Sequence, residues 1–110
     1  MVKDSESIQN IVKNYVQKIS LQIPISKVIL FGSYAKGTYD KGSDIDLAIF
    51  SDYFEGMKGV DAFKFLFMQT LEYEVDLEPL AFTSADYREP VGIVEEIVRT
   101  GIEIPLQHVS

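Results

Sequence analysis

Residues 27–50, KVILFGSYAKGTYDKGSDIDLAIF, place a short apolar run, a Gly-Ser step and an Asp-x-Asp pair in one stretch of chain. KVILF (27–31) is continuous and apolar and stops at Gly32, which predicts a buried strand. DIDLAIF (44–50) predicts a second strand, with polar and apolar positions alternating at its start. Residues i and i+2 of a strand share a side, so Asp44 and Asp46 project together while Ile45 and Leu47 turn to the core. Whatever else the chain forms must cover the sheet these two strands begin.

The flanking segments supply that cover. Ile8, Ile11, Val12, Tyr15, Val16 and Ile19 recur at three- and four-residue spacing, which predicts an amphipathic helix capped by Asp4 or Ser5 and stopped before Pro24. SDYFEGMKG (51–59) is rich in turn formers. VDAFKFLFMQTLEY (60–73) predicts a helix with Phe63, Leu66, Phe67 and Leu71 toward the core. Phe65 and Met68 fall outside that stripe, so either the buried face is broad or an apolar patch is left for a partner. EVDLEPLAF (74–82) predicts a third strand, TSADYREP a polar connection, and VGIVEEIVRT (about 91–100) a last helix with Glu95 and Glu96 on its wet face and Gly101 as C-cap. The expected fold class is mixed α/β (α+β): a single domain, 1–110, with a small mixed β-sheet carrying helices on one face.

Composition excludes several functions. At 110 residues, 46% apolar and 25% charged, the chain suits one compact domain. No segment approaches the ~20 apolar residues of a membrane span, and MVKDSESIQN lacks a signal-peptide core, so a cytoplasmic location is expected. Cysteine is absent, which rules out disulfides and thiolate metal sites. The net charge of −7 repels phosphate backbones, so direct nucleic-acid binding is not expected. An anion such as a nucleotide has to be held locally, by backbone donors and metal ions. His108, in the tail LQHVS, reads as solvated.

Two carboxylates as close as Asp44 and Asp46 repel unless a cation lies between them. Mg²⁺ is the natural ion, because it favours one or two carboxylates together with phosphate oxygens. By itself, Asp-x-Asp also serves as a solvated strand start. A strand that ends in Gly32-Ser33 and opens a short helix aims backbone N–H groups at a common point, where they and the Ser33 hydroxyl can hold phosphate; by itself, such a glycine is also just a turn. In EVDLEPL, Glu74, Asp76 and Glu78 share one side by the two-residue period. Asp76, in the middle, is the best candidate for a third ligand or a proton acceptor, and an ordinary acidic sheet edge is the other reading.

Taken together, GSYAKGTYDKGSDIDL (32–47) resembles the signature of the DNA polymerase β-like nucleotidyltransferase superfamily, Gly-Ser, ten residues, then Asp-x-Asp. Within that superfamily the chain looks like a minimal nucleotidyltransferase domain, over nearly its whole length, with no residues left for the substrate-binding domain of larger relatives. The resemblance implies that Gly32 and Ser33, with Ser43 beside the pair, hold the nucleotide phosphates, and that Asp44, Asp46 and Asp76 are catalytic and bind Mg²⁺. One departure is Tyr34, where many relatives carry arginine, with Lys36 as a nearby positive charge. Tyr34 and Tyr39 can stack on a base or simply pack.

Domains of this kind pair with HEPN-family RNase toxins. The resemblance therefore implies an antitoxin that transfers AMP from ATP to a hydroxyl of that toxin, expected to be a tyrosine, within a hetero-oligomer; a homodimer is the alternative assembly. Two other functions stay open at this point: an aminoglycoside-type small-molecule nucleotidyltransferase, and a non-catalytic antitoxin that neutralises by binding.

Overall fold

The computed structural model describes residues 5–40 and 42–106; Asp4, one of the two expected helix caps, and His108 lie outside them. The elements are α1 (Ser5–Ser20), β1 (Lys27–Phe31), α2 (Ser33–Lys36), β2 (Ile45–Phe50), a 3₁₀ turn (Asp52–Phe54), α3 (Gly59–Met68), β3 (Leu77–Phe82), α4 (Ser84–Arg88), α5 (Ile93–Thr100) and β4 (Ile102–Glu103). They build a four-stranded mixed sheet in the order β3-β2-β1-β4. β2 runs antiparallel to β1, with Phe31 opposite Asp46 and Lys27 opposite Phe50. It runs parallel to β3, with Ile45 beside Leu77 and Asp46 beside Glu78.

The sheet separates two cores, as strand alternation requires. Val28, Ile45, Leu47, Ile49 and Leu77 pack with Ile8, Val12, Tyr15, Val16 and Ile19 of α1 and with Ala62 and Leu66 of α3. The Tyr15 hydroxyl, fully buried, donates to the Leu66 carbonyl at 2.8 Å and ties the two long helices together. On the opposite side Ile29, Ala48 and Phe50 pack with Val94 and Ile97 of α5 and with Tyr87 of α4. The mixed sheet is thus as expected and the long helices do share one face. The second face is not bare, because apolar Ile29, Ala48 and Phe50 need cover that α4 and α5 provide.

Three boundaries differ from the sequence reading. The helix expected over 60–73 ends at Met68. There the Thr70 N–H and hydroxyl both turn back to the Phe67 carbonyl, at 2.9 and 2.7 Å, closing the last turn early. The strand expected from Glu74 starts at Leu77, although the Asp76 carbonyl already accepts from Ile45 N–H at 2.8 Å. TSADYREP is not merely a connection: Thr83 and Asp86 form a reciprocal capping box that starts α4.

Gly101 is the C-cap of α5, as expected, with its N–H donating to the Ile97 carbonyl at 2.8 Å, but in an unusual conformation for a capping glycine. Its φ of −80° and ψ of 174° are extended, so it is no left-handed cap. The position requires glycine for space: a Cβ there would stand 2.3 Å from Ile29 Cγ2 and 2.6 Å from the Ile97 carbonyl oxygen. This close approach lets the chain leave α5 directly into β4, which pairs with β1 through Ile29–Glu103 and Leu30–Ile102. Gly101→Ala is therefore expected to cost about 1–3 kcal/mol by overpacking. Urea unfolding should show a lower midpoint with an unchanged slope; an unchanged midpoint would mean that the junction has slack.

Candidate active site

The site forms where β1 ends and β2 begins. Gly32 leaves β1 with φ +75°, a conformation that only glycine adopts without strain, and caps the four-residue α2. Antiparallel pairing sets Phe31 against Asp46, so the next residue, Gly32, lies directly on that carboxylate. A Cβ at Gly32 would stand 2.3 Å from Asp46 Oδ2. The turn is then closed by Lys36 N–H to Gly32 C=O and Thr38 N–H to Ser33 C=O, at 3.1 and 3.0 Å. The Gly-Ser turn and the aspartate pair, separate features in the sequence, are thereby in van der Waals contact.

Parallel pairing with β3 adds the remaining carboxylates. Asp76 sits one position before the ladder, level with Asp44, and Glu78 sits beside Asp46. The expected alternation holds: Glu74, Asp76 and Glu78 are exposed while Val75 and Leu77 are buried. Asp44 and Asp46 are half-buried. Burial, then the charge of Asp44, raises the Asp46 carboxyl above its ordinary range. Glu78 is raised by burial first, then by the charge of Asp44, a hydrogen bond shared with it, and the charges of Asp46 and Asp76.

The result is an open, mutually repelling edge of four carboxylates, and the ion pairs among the described residues lie elsewhere. Hard, anionic oxygen donors under mutual repulsion are the donor chemistry that suits Mg²⁺. Among the described residues no three His, Cys, Asp or Glu side chains converge closely enough to form a metal-holding group.

Other candidates take different places. The Ser43 hydroxyl accepts from Asp40 N–H at 2.9 Å and helps close the loop ahead of β2. Tyr34 is buried and stacks on Tyr39, with ring centroids 4.3 Å apart and planes 10° from parallel, so these rings pack on each other on the α1 side of the sheet. Lys36 is exposed.

A cleft of about 390 Å³ opens beside the carboxylates, lined by Asp44, Asp76 and Glu78 together with apolar Phe67, Leu71 and Leu77. Sequence reasoning had set Glu78 behind Asp76, since only the parallel register with β2 brings it against Asp46. It had also assigned Phe67 and Leu71 to the core, whereas both are exposed and face this cleft.

Repulsion in the cluster has a measurable sign. A carboxyl whose native pKa is raised holds its proton more tightly folded than unfolded. Its stability contribution is therefore complete below the ordinary carboxylate range and is lost as pH rises through the native value. Glu78→Gln removes one of these charges. In EDTA at pH 7 its thermal midpoint should rise by about 1–4 °C, because solvent at this exposed side chain screens the gain to below about 1 kcal/mol. The fall in stability above the carboxylate range should also become shallower than in the wild type. A lowered midpoint would show that Glu78 is held by an attraction instead.

The match to known proteins runs through this same geometry. Residues 9–103 match the nucleotidyltransferase domain family. A Haemophilus influenzae protein named as protein adenylyltransferase MntA is 37% identical over 90 residues, covering 81% of this chain and 76% of that one. A Methanocaldococcus jannaschii protein named as protein adenylyltransferase MJ0141 is 29% identical over 100 residues, covering 88% and 98%. A toxin–antitoxin crystal structure with AMP-PNP shares the fold with a TM-score of 0.61 at 21% identity, over 84% of this chain and 72% of that one. With the Gly-Ser turn against the aspartate pair and the family match spanning both, the chain belongs to the nucleotidyltransferase domain family.

Proposed function

We propose that this protein is a Mg²⁺-dependent adenylyltransferase that moves AMP from ATP onto a tyrosine hydroxyl of a HEPN-family RNase toxin, and so acts in the cytoplasm as the antitoxin. The observation that carries this reading is the contact between Gly32 and the Asp46 carboxylate, which supports a turn that holds phosphate beside carboxylates that bind metal. Two relatives named as protein adenylyltransferases support a protein acceptor. The shared fold with a toxin–antitoxin structure containing AMP-PNP supports the toxin and the adenine nucleotide. Among the described residues no helix is long and apolar enough to cross a membrane.

In the proposed reaction the acceptor oxygen attacks the α-phosphorus of ATP. The bond from that phosphorus to the oxygen bridging the β-phosphorus breaks, and pyrophosphate leaves. Backbone N–H groups of the Gly32–Ser33 turn and the Ser33 hydroxyl orient the phosphates. Asp44, Asp46 and Asp76 are the assigned Mg²⁺ ligands, and the ion when bound supplies positive charge to the phosphate oxygens. Asp76 and Glu78, which line the cleft, are the proposed acceptors of the attacking hydroxyl's proton.

The test is label transfer from α-labelled ATP to the protein encoded beside this gene, with Mg²⁺ and with EDTA. Label on that partner, abolished by EDTA and reduced about 100-fold or more in Asp44→Asn, is the expected result. Gly32→Ala should lose about 100-fold as well, since its Cβ displaces the Asp46 carboxylate. Tight binding and neutralisation without label would overturn transfer and leave an antitoxin that acts by occupancy. Label on an aminoglycoside and none on protein would move the acceptor to a small molecule.

A further inference from the structure

The outward face of α3 carries more apolar surface than a solvated helix needs. Val60, Phe63, Phe67 and Met68, with Leu71 just beyond the helix end, are 68%, 42%, 38%, 55% and 61% exposed. Phe63 and Phe67 stack with ring centroids 5.4 Å apart and planes within 17°, forming a flat wall. The buried residues of the helix are instead Ala62 and Leu66, and among the described residues these rings join neither buried core. A contiguous exposed patch of this sort marks an interaction site.

Its position says which partner it serves. The stripe runs along α3 to the acidic cleft, which Phe67 and Leu71 line together with Asp44, Asp76 and Glu78. Across the carboxylates from that cleft lies the Gly32–Ser33 turn against Asp46, the side assigned to the triphosphate. An acceptor therefore reaches the reacting phosphorus from the cleft side, over the apolar stripe. A second copy of the chain is disfavoured there, because two chains each of net charge −7 repel.

We propose that the exposed α3 face, Val60, Phe63, Phe67, Met68 and Leu71, is the docking surface for the acceptor protein. That protein presents an aliphatic face flanked by lysine or arginine and extends its hydroxyl into the cleft. This assignment rests on the adenylyl-transfer reading above and names the surface that reading requires.

The test uses Phe63→Lys, Phe63→Glu and Val60→Lys, exposed positions that do not line the cleft, with Val91→Glu as an exposed control elsewhere. Binding to the protein encoded beside this gene is read by calorimetry, transfer by label from α-labelled ATP, and site integrity by affinity for a fluorescent ATP analogue. Expected are an about tenfold or greater loss of partner affinity in Phe63→Lys, a matching rise in KM for the partner at near-constant kcat, and unchanged ATP affinity. Val91→Glu should behave as wild type. Phe63→Lys should lose more than Phe63→Glu, because lysine also repels basic flanks.

Wild-type affinity in Phe63→Lys, or the reverse charge order, would overturn the assignment. So would a wild-type homodimer that Phe63→Lys dissociates, since the stripe would then be a self-interface. If the wild type binds but transfers no label, adenylyl transfer fails while the binding series still decides the surface.

Discussion

Strand β2 is buried on both sides and paired along both edges, and every feature of the site is placed by its register. Ile45, Leu47 and Ile49 are committed to the core under α1 and α3, and Ala48 and Phe50 to the core under α5. A slip of one residue against either neighbour would exchange these sets and drive the Asp46 carboxylate into hydrocarbon, so the core itself fixes the register. With that register set, the antiparallel edge brings Gly32 onto Asp46, and the parallel edge brings Asp76 and Glu78 level with the aspartate pair. Residues up to 46 positions apart in sequence, Gly32 and Glu78, thus meet along one end of a sheet with no dedicated binding loop between them.

That placement costs stability in the free protein. Apolar packing holds four acidic side chains closer together than they would be in an unfolded chain, and burial adds to the penalty at Asp46 and Glu78. On the proposed function the compensation would lie outside the chain, in the cation and phosphate bound there. Such a site would gain affinity for a divalent ion from the same repulsion that weakens the fold. Gly32 belongs to the same economy, since the close approach that excludes a Cβ is the approach that sets backbone donors beside the carboxylates.

Much of this was legible in the chain. KVILF became β1 without change because a continuous apolar run bounded by glycine has few other uses, and the alternation through 74–78 gave the exposure of Asp76 and Glu78 correctly. The phase of α3 was not legible. Of the expected stripe Phe63, Leu66, Phe67 and Leu71, only Leu66 is buried; its partner is Ala62, one step round the helix, and only packing in the core with α1 and β3 selects that smaller pair. Glu78 required a strand direction that periodicity does not carry. The Thr83–Asp86 capping box was visible in TSAD, though Asp stands where Glu or Gln is usual. β4, two residues long, exists because Gly101 permits a close approach, which no local pattern announces.

The misread phase of α3 and the open acidic cluster have a common physical origin. Small Ala62 and the single Leu66 let α3 lie close to the sheet, and that closeness leaves its large rings outside, where Phe67 reaches the rim of the cleft. The carboxylates and the apolar residues of the cleft differ in what they favour. On the proposed function, the carboxylates repel a bare nucleotide and require a cation with it, whereas the exposed Phe67 and Leu71 side chains gain by burial of apolar area. A polar acceptor of sugar-like chemistry would gain little from them and would leave them wet. A protein surface would cover them, and the water it displaced would be water removed from beside the reacting phosphorus. On this reading, recognition of the acceptor and exclusion of hydrolysis are one event, carried by the residues that the core left over.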